Sequence, residues 1–109
     1  GRNLAVLIQV HQDSVNGTVG QSVLLPVSYR FEGAPHFPVS IRWTFGNSSD
    51  PLITCTVNCS AGDGGVPRNC SANHFPHRAY HGRTEIFPEN GSLLLRHLQL
   101  SDSGVYRVT

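Results

Sequence analysis

Val39-Ser40-Ile41-Arg42-Trp43-Thr44-Phe45 alternates without a break, with apolar residues at the odd positions and polar residues at the even ones. Side chains of a β-strand point to opposite faces with a period of two, so one face of this segment packs inward and carries the only tryptophan of the chain. Upstream, Gln21-Ser-Val-Leu-Leu-Pro-Val-Ser-Tyr29 alternates in the same way and supplies a second inward row, Val23, Leu25, Val27 and Tyr29. Further strand-like runs occur at Leu4–Val10, Leu52–Val57, Arg83–Phe87, Ser92–Leu98 and Gly104–Thr109. Between the runs stand Asn16-Gly17, Gly33-Ala-Pro35, Gly46-Asn47, Gly62-Asp-Gly-Gly65 and Glu89-Asn-Gly91, residues that supply positive or fixed φ for turns. Helical periodicity is absent, and the spacing of short strands implies an all-β, two-sheet sandwich. Ser60–His81 is the one stretch of low regularity. Pro26 lacks an N–H, which marks the point where its strand is edge-like.

The 109 residues correspond to a single domain, 1–109, with one modest core. A net charge of +1 and a charged fraction of 14% create no strong field, which argues against nucleic acid and anionic membrane as partners. No apolar run approaches the roughly 20 residues needed to span a bilayer, and no signal-peptide pattern opens the chain, so a mature or excised piece is expected. Asn-X-Ser/Thr acceptors at Asn16, Asn47, Asn58, Asn69 and Asn90, together with three cysteines, place the chain in an oxidising, extracellular setting with N-linked glycans.

Downstream of the inward leucines Leu93, Leu95 and Leu98 lies Asp102-Ser-Gly-Val-Tyr106. This string resembles the Asp-x-Gly-x-Tyr corner of immunoglobulin domains, in which the tyrosine hydroxyl ties strand F to its own turn. With Gly20–Val27, Trp43, Arg83–Phe87 and Ser92–Leu95 it resembles strands B to F of an immunoglobulin-like V-type Greek-key sandwich over nearly the whole chain. The resemblance implies an ion pair between Arg83 and Asp102. It also implies an inter-sheet disulfide at the positions of Val27 and Val108, and both are valine here. In the chain-entropy view that loss forfeits roughly 4–5 kcal/mol. Two buried valines return about 1.5–3 kcal/mol each, so the core tolerates the change. Domains without this bridge are found at the N-termini of carcinoembryonic-antigen-related adhesion molecules, of the signalling lymphocyte activation family and of hepatic and glial cell adhesion molecules. His81–Leu95 resembles the first and third most. Strand G of such a fold does not fit before Thr109, so it is expected on following chain or from another chain.

Cys59 and Cys70 lie symmetrically about Gly64-Gly65, so a hairpin turning at Asp63–Val66 pairs them. Cys55–Cys70 is the rival pairing, and Cys55–Cys59 closes too short a loop. Cys55 itself continues the inward row Ile53, Cys55, Val57, as a small buried residue or as the partner of a cysteine elsewhere. His74, His77 and His81 have helical metal-site spacing, but Pro76 interrupts any such helix, so they read as exposed loop histidines and no metal or cofactor is expected. No nucleophile elbow, zinc-protease helix or phosphate loop is present, and no enzyme is expected.

The resemblance implies that a protein partner meets the sheet of strands C, C′ and F. Alternation puts Arg42, Thr44, Thr54, Thr56 and Arg107 on its outer surface. Two arginines on an ordinary solvated sheet are the alternative reading. Asn16 and Asn90 fall beside the opposite sheet, whereas Asn47 borders this one. The expected function is cell-cell adhesion or recognition at the extracellular side of the plasma membrane, anchored or secreted, with a homophilic or related immunoglobulin-like partner. An immune receptor or receptor ligand, and an auxiliary subunit of another membrane protein, are the alternatives.

Overall fold

The computed structural model describes residues 6–33, 37–61 and 67–109, so part of the Gly33-Ala-Pro35 turn and the whole Gly62-Asp-Gly-Gly65 turn lie outside the described residues. Nine strands follow one another among those described: β1 (Val6–Val10), β2 (Val23–Leu25), β3 (Val27–Phe31), β4 (Val39–Phe45), β5 (Ile53–Ala61), β6 (Pro67–Pro76), β7 (Thr84–Ile86), β8 (Leu93–Leu95) and β9 (Tyr106–Val108). Among the described residues the helical elements are short 3-10 turns at Arg78–Tyr80 and Leu100–Asp102, and no helix is long and apolar enough to cross a membrane.

All pairings are antiparallel and form two layers. One is the four-stranded sheet β6-β5-β4-β9; the other is made of two separate hydrogen-bonded sheets, β2-β8-β7 and β1-β3, linked where Ser92 beside β8 bonds Val27 of β3. The inner row of β4 is buried as its alternation requires, with Val39, Ile41 and Trp43 at 5%, 2% and 3% exposure. It packs with Ile53, Cys55 and Val57 of β5 against Val27, Ile86 and Leu93 of the facing layer. Val108 pairs with Trp43 in register and packs on the same cluster as Val27, so apolar side chains fill the place of the missing cross-link. The Trp43 indole Nε1 donates to the Gly91 carbonyl at 3.0 Å, satisfying the polar end of a buried ring.

Pro26 divides the expected single strand Gln21–Tyr29 into two that serve different neighbours. β2 pairs with β8, and β3 pairs with β1. Ser92 completes the ladder at the break. Its buried Oγ accepts from the Val27 N–H and donates to the Val27 carbonyl, both at 3.0 Å.

The reading of Ser60–His81 as irregular is corrected by the structure. β5 extends through Ala61 and β6 runs from Pro67 to Pro76, pairing from Ile53↔Pro76 to Ala61↔Pro67. β4 pairs with β5 only over Ile53–Val57, so the distal half of this hairpin projects past the sandwich. The terminal strands are shorter than expected, at Thr84–Ile86, Leu93–Leu95 and Tyr106–Val108. Among the described residues nothing pairs with the outer edge of β9, and a cleft of about 620 Å³ lined by Val23, Leu25, Trp43, Leu98 and Tyr106 lies beside it.

Candidate functional site

Register fixes the outer surface of the four-stranded sheet rung by rung. Arg42 lies opposite Thr54, Ser40 opposite Thr56, and Thr44 opposite Arg107. Opposed residues of an antiparallel pair share a face, so Arg42, Thr44, Thr54, Thr56 and Arg107 stand on one surface. Both arginines are exposed and the three threonines half-buried. Thr109 flanks Arg42 through two backbone hydrogen bonds of 2.9 Å.

Both exposed arginines reach a backbone carbonyl. The Arg42 guanidinium donates to the Ser49 carbonyl, and that of Arg107 donates to the Gly46 carbonyl. Both carbonyls belong to the β4–β5 turn, where Asn47 is exposed, so two cations are fastened around one acceptor site. A guanidinium carries five donors, and each keeps several for another molecule.

Register adds a residue that alternation alone did not name. Phe75 of β6 lies opposite Thr54, and Asn73 lies opposite Thr56. Phe75 is 60% exposed on the outer face, an apolar residue beside polar neighbours. The available signal was that β6 must alternate once paired with β5, which would send Phe75 outward and His74 toward the facing layer. The expectation of a loop histidine is thus corrected for His74, which pairing with Cys55 places in β6; its Nε2 lies 2.8 Å from the Ile86 carbonyl, which accepts its N–H and joins the layers at their edge.

The remaining expected residues take these places. Cys59 and Cys70 are bonded to each other across the β5–β6 hairpin. Cys55 is fully buried with a free thiol whose pKa burial raises, so it packs as a small apolar member of the core. Asn16, Asn47, Asn58 and Asn69 are exposed; Asn90 is half-buried, and its Oδ1 accepts from the Ser92 N–H at 2.8 Å. His77 caps the 3-10 turn Arg78–Tyr80 and His81 follows it, and among the described residues no three metal-ligating side chains cluster.

The end of the sandwich below β9 is closed by polar contacts. Arg83 Nη2 meets Asp102 Oδ2 at 2.5 Å, and the Tyr106 hydroxyl donates to the Asp102 carbonyl at 2.6 Å. Burial first, and the Asp102 carboxylate second, push the Tyr106 phenol up to about 12. Gly104 is required between them: its φ is +155°, and a Cβ there would fall 2.6 Å from the Phe45 ring. That ring packs on Tyr106 with centroids 4.8 Å apart.

Comparison with known proteins agrees with this geometry. The first domain of VCBP3 from Branchiostoma floridae superposes with a TM-score of 0.78 at 22% identity, over 96% of this chain and 79% of that one. The two tandem V-type regions of VCBP3, a v-region-containing chitin binding protein, give 0.77 at 23% identity, over 93% of this chain but 41% of that one. At these identities the likeness is one of fold. The family model of the immunoglobulin V-set domain matches residues 10–109, and with its two antiparallel layers, buried tryptophan and tyrosine corner the chain belongs to the immunoglobulin V-set family.

Proposed function

We propose that this V-set domain is the recognition module of an extracellular adhesion protein, and that it meets a protein partner, homophilic or immunoglobulin-like, through the outer face of β9, β4, β5 and β6. V-set domains are commonly used in recognition and adhesion. The observation that carries the reading is the anchored pair Arg42 and Arg107 on the same surface as exposed Phe75. Arginine and aromatic residues dominate binding energy where they are desolvated, and a side chain already immobilised loses less entropy on contact. Docking on Arg42, Thr44, Thr54, Thr56, Arg107 and Phe75 therefore combines an apolar anchor with preorganised donors. Glycans at Asn16 and Asn90 belong to the opposite side of the sandwich and leave this face open, while one at Asn47 borders it. The protein acts by binding and needs no cofactor, metal or catalytic residue; it resides at the outer side of the plasma membrane, anchored or released. The chitin-binding name of the VCBP3 regions belongs to those proteins. A carbohydrate platform would call for more exposed rings than Phe75 on this face.

The test is bead aggregation with the full ectodomain carrying Arg42→Ala, Arg107→Ala or Phe75→Ala. Each is expected to reduce aggregation about tenfold, in line with the loss of one hot-spot contact. Glu85→Ala with Arg96→Ala, which removes an exposed ion pair 2.7 Å long on the other layer, is expected to leave it unchanged. Equal aggregation by all variants, with melting curves intact, contradicts the assignment of this face.

A further inference from the structure

The Cys59–Cys70 bridge joins the middle residues of two glycan acceptors, Asn58-Cys59-Ser60 on β5 and Asn69-Cys70-Ser71 on β6. Pairing holds both acceptors in one ladder, with Asn58 opposite Ser71 and Ser60 opposite Arg68. The register shift between Asn58 and Ser60 leaves Asn69 as the extra residue of a bulge, at φ 53°. The hydroxyl that the second acceptor needs lies beside the first acceptor, with exposed Ser71 Oγ 3.5 Å from the Asn58 carbonyl.

We infer that closure of this bridge and glycan transfer to Asn58 and Asn69 compete, and that Asn69 loses the competition more often. In transfer, Asn Nδ2 attacks C1 of a lipid-pyrophosphate-linked oligosaccharide. An N–C bond forms, the C1–O bond breaks with lipid pyrophosphate as leaving group, and the displaced amide proton passes to a base of the transferase. The enzyme must hold the carboxamide and the hydroxyl two residues on within one bent acceptor segment, which is why acceptors belong to loops. Along extended Asn58–Ser60 the two ends stand roughly 6.6–6.8 Å apart, whereas Asn69 is bent at its bulge but lies directly beside the bridged Cys70, so closure of the bridge fixes both segments in shapes set by the hairpin. In bridge formation the Cys59 and Cys70 thiols give up two protons and two electrons to the disulfide of a thiol oxidoreductase, which leaves as the dithiol. A bulky sugar transferred first beside either cysteine hinders that closure in turn.

The asymmetry comes from chain order. Cys70 follows Cys59 by 11 residues. Synthesis proceeds at roughly 5–20 residues per second, so Asn58 has a lead of about 0.5–2 s before Cys70 emerges. Asn69 emerges directly before the cysteine that locks it. The competition stands independently of the binding reading. Its consequence for the binding face rests on that reading, because Asn58 continues the outward row of Thr54 and Thr56.

The experiment is site occupancy in the full-length protein expressed in a secretory cell line, measured by glycosidase release in heavy-oxygen water and peptide mass spectrometry. The total cellular pool is sampled, so a variant that misfolds is still counted. Cys59→Ala leaves the Asn69 acceptor intact, and Cys70→Ala leaves the Asn58 acceptor intact. In the unmodified sequence Asn69 is expected to be less occupied than Asn58. Its occupancy is expected to rise at least threefold in Cys59→Ala, and that of Asn58 to rise less in Cys70→Ala. Brief reductant in the medium is expected to raise both sites in the unmodified sequence, while Asn16 in its exposed loop stays constant. Full occupancy of Asn69 with the bridge formed, or equal occupancy with and without the bridge, overturns the inference.

Discussion

Ser92 shows how one buried hydroxyl can hold a strand that proline has broken. Its Oγ meets both backbone groups of Val27 at 3.0 Å, so Ser92→Ala leaves a buried N–H and carbonyl unpaired. The expected cost is about 1–3 kcal/mol, read by urea unfolding of unglycosylated protein because the same substitution removes the Asn90 acceptor. Tyr106 contributes to the alkaline limb of stability, beside Tyr29 and Tyr80, whose phenols burial also raises. A phenol held above its unfolded value of 10, at about 12, stabilises the fold while protonated. That contribution is complete below pH 10 and is lost as pH rises through 12. Alkaline melts are expected to show stability falling across this window, and Tyr106→Phe, although less stable at neutral pH, to show a shallower fall. The inward rows and the tyrosine corner were legible because a two-residue period and a fixed motif announce them. Ser92 was not, since a serine after Asn90-Gly91 reads as part of an acceptor and carries no periodic signal.

At the scale of elements, the β5–β6 hairpin departs most from what its sequence suggests. Pro67–Pro76 contains two prolines, two asparagines and a histidine, and shows no apolar alternation. It is a strand because β5 supplies a ladder and the bridge holds it there, a case of tertiary pairing overriding local preference. The same cause hid Phe75, whose outward direction follows only from pairing with Thr54. Arg42, Thr44, Thr54, Thr56 and Arg107 were readable from alternation alone, whereas the fastening of both guanidiniums to the β4–β5 turn depends on a loop path no pattern encodes. Beyond Val57 the hairpin has no support from β4, so the bridge stabilises it locally. Replacing Cys59 and Cys70 by alanine is expected to lower hairpin stability by about 2–4 kcal/mol. Amide exchange at residues 58–60 and 69–71 should then accelerate roughly 30- to 1000-fold, with the amides of Ile41 and Trp43 unchanged; acceleration of both sets alike would show that the hairpin and sandwich open as one unit.

For the whole molecule, the two layers expose surfaces of different character. The outer face of β2, β8 and β7 carries Leu24 at 43% exposure and the Arg96–Glu85 ion pair, with Asn16 and Asn90 on adjoining loops. The opposite face carries Phe75 and the anchored arginines. Sandwich and core were legible from length, alternation and turn residues, because two sheets burying one face each is the economical solution for such a chain. Alternation alone does not single out a binding face, since outward residues on both layers alternate equally well; the face of strands C, C′ and F was named from the family resemblance. Hydroxyl-radical footprinting decides between them most directly, comparing Phe75 and Leu24 in dispersed ectodomain and in ectodomain aggregated on beads. Adhesion through β9, β4, β5 and β6 predicts at least threefold protection of Phe75 and unchanged labelling of Leu24; protection of Leu24 with Phe75 still labelled would contradict it.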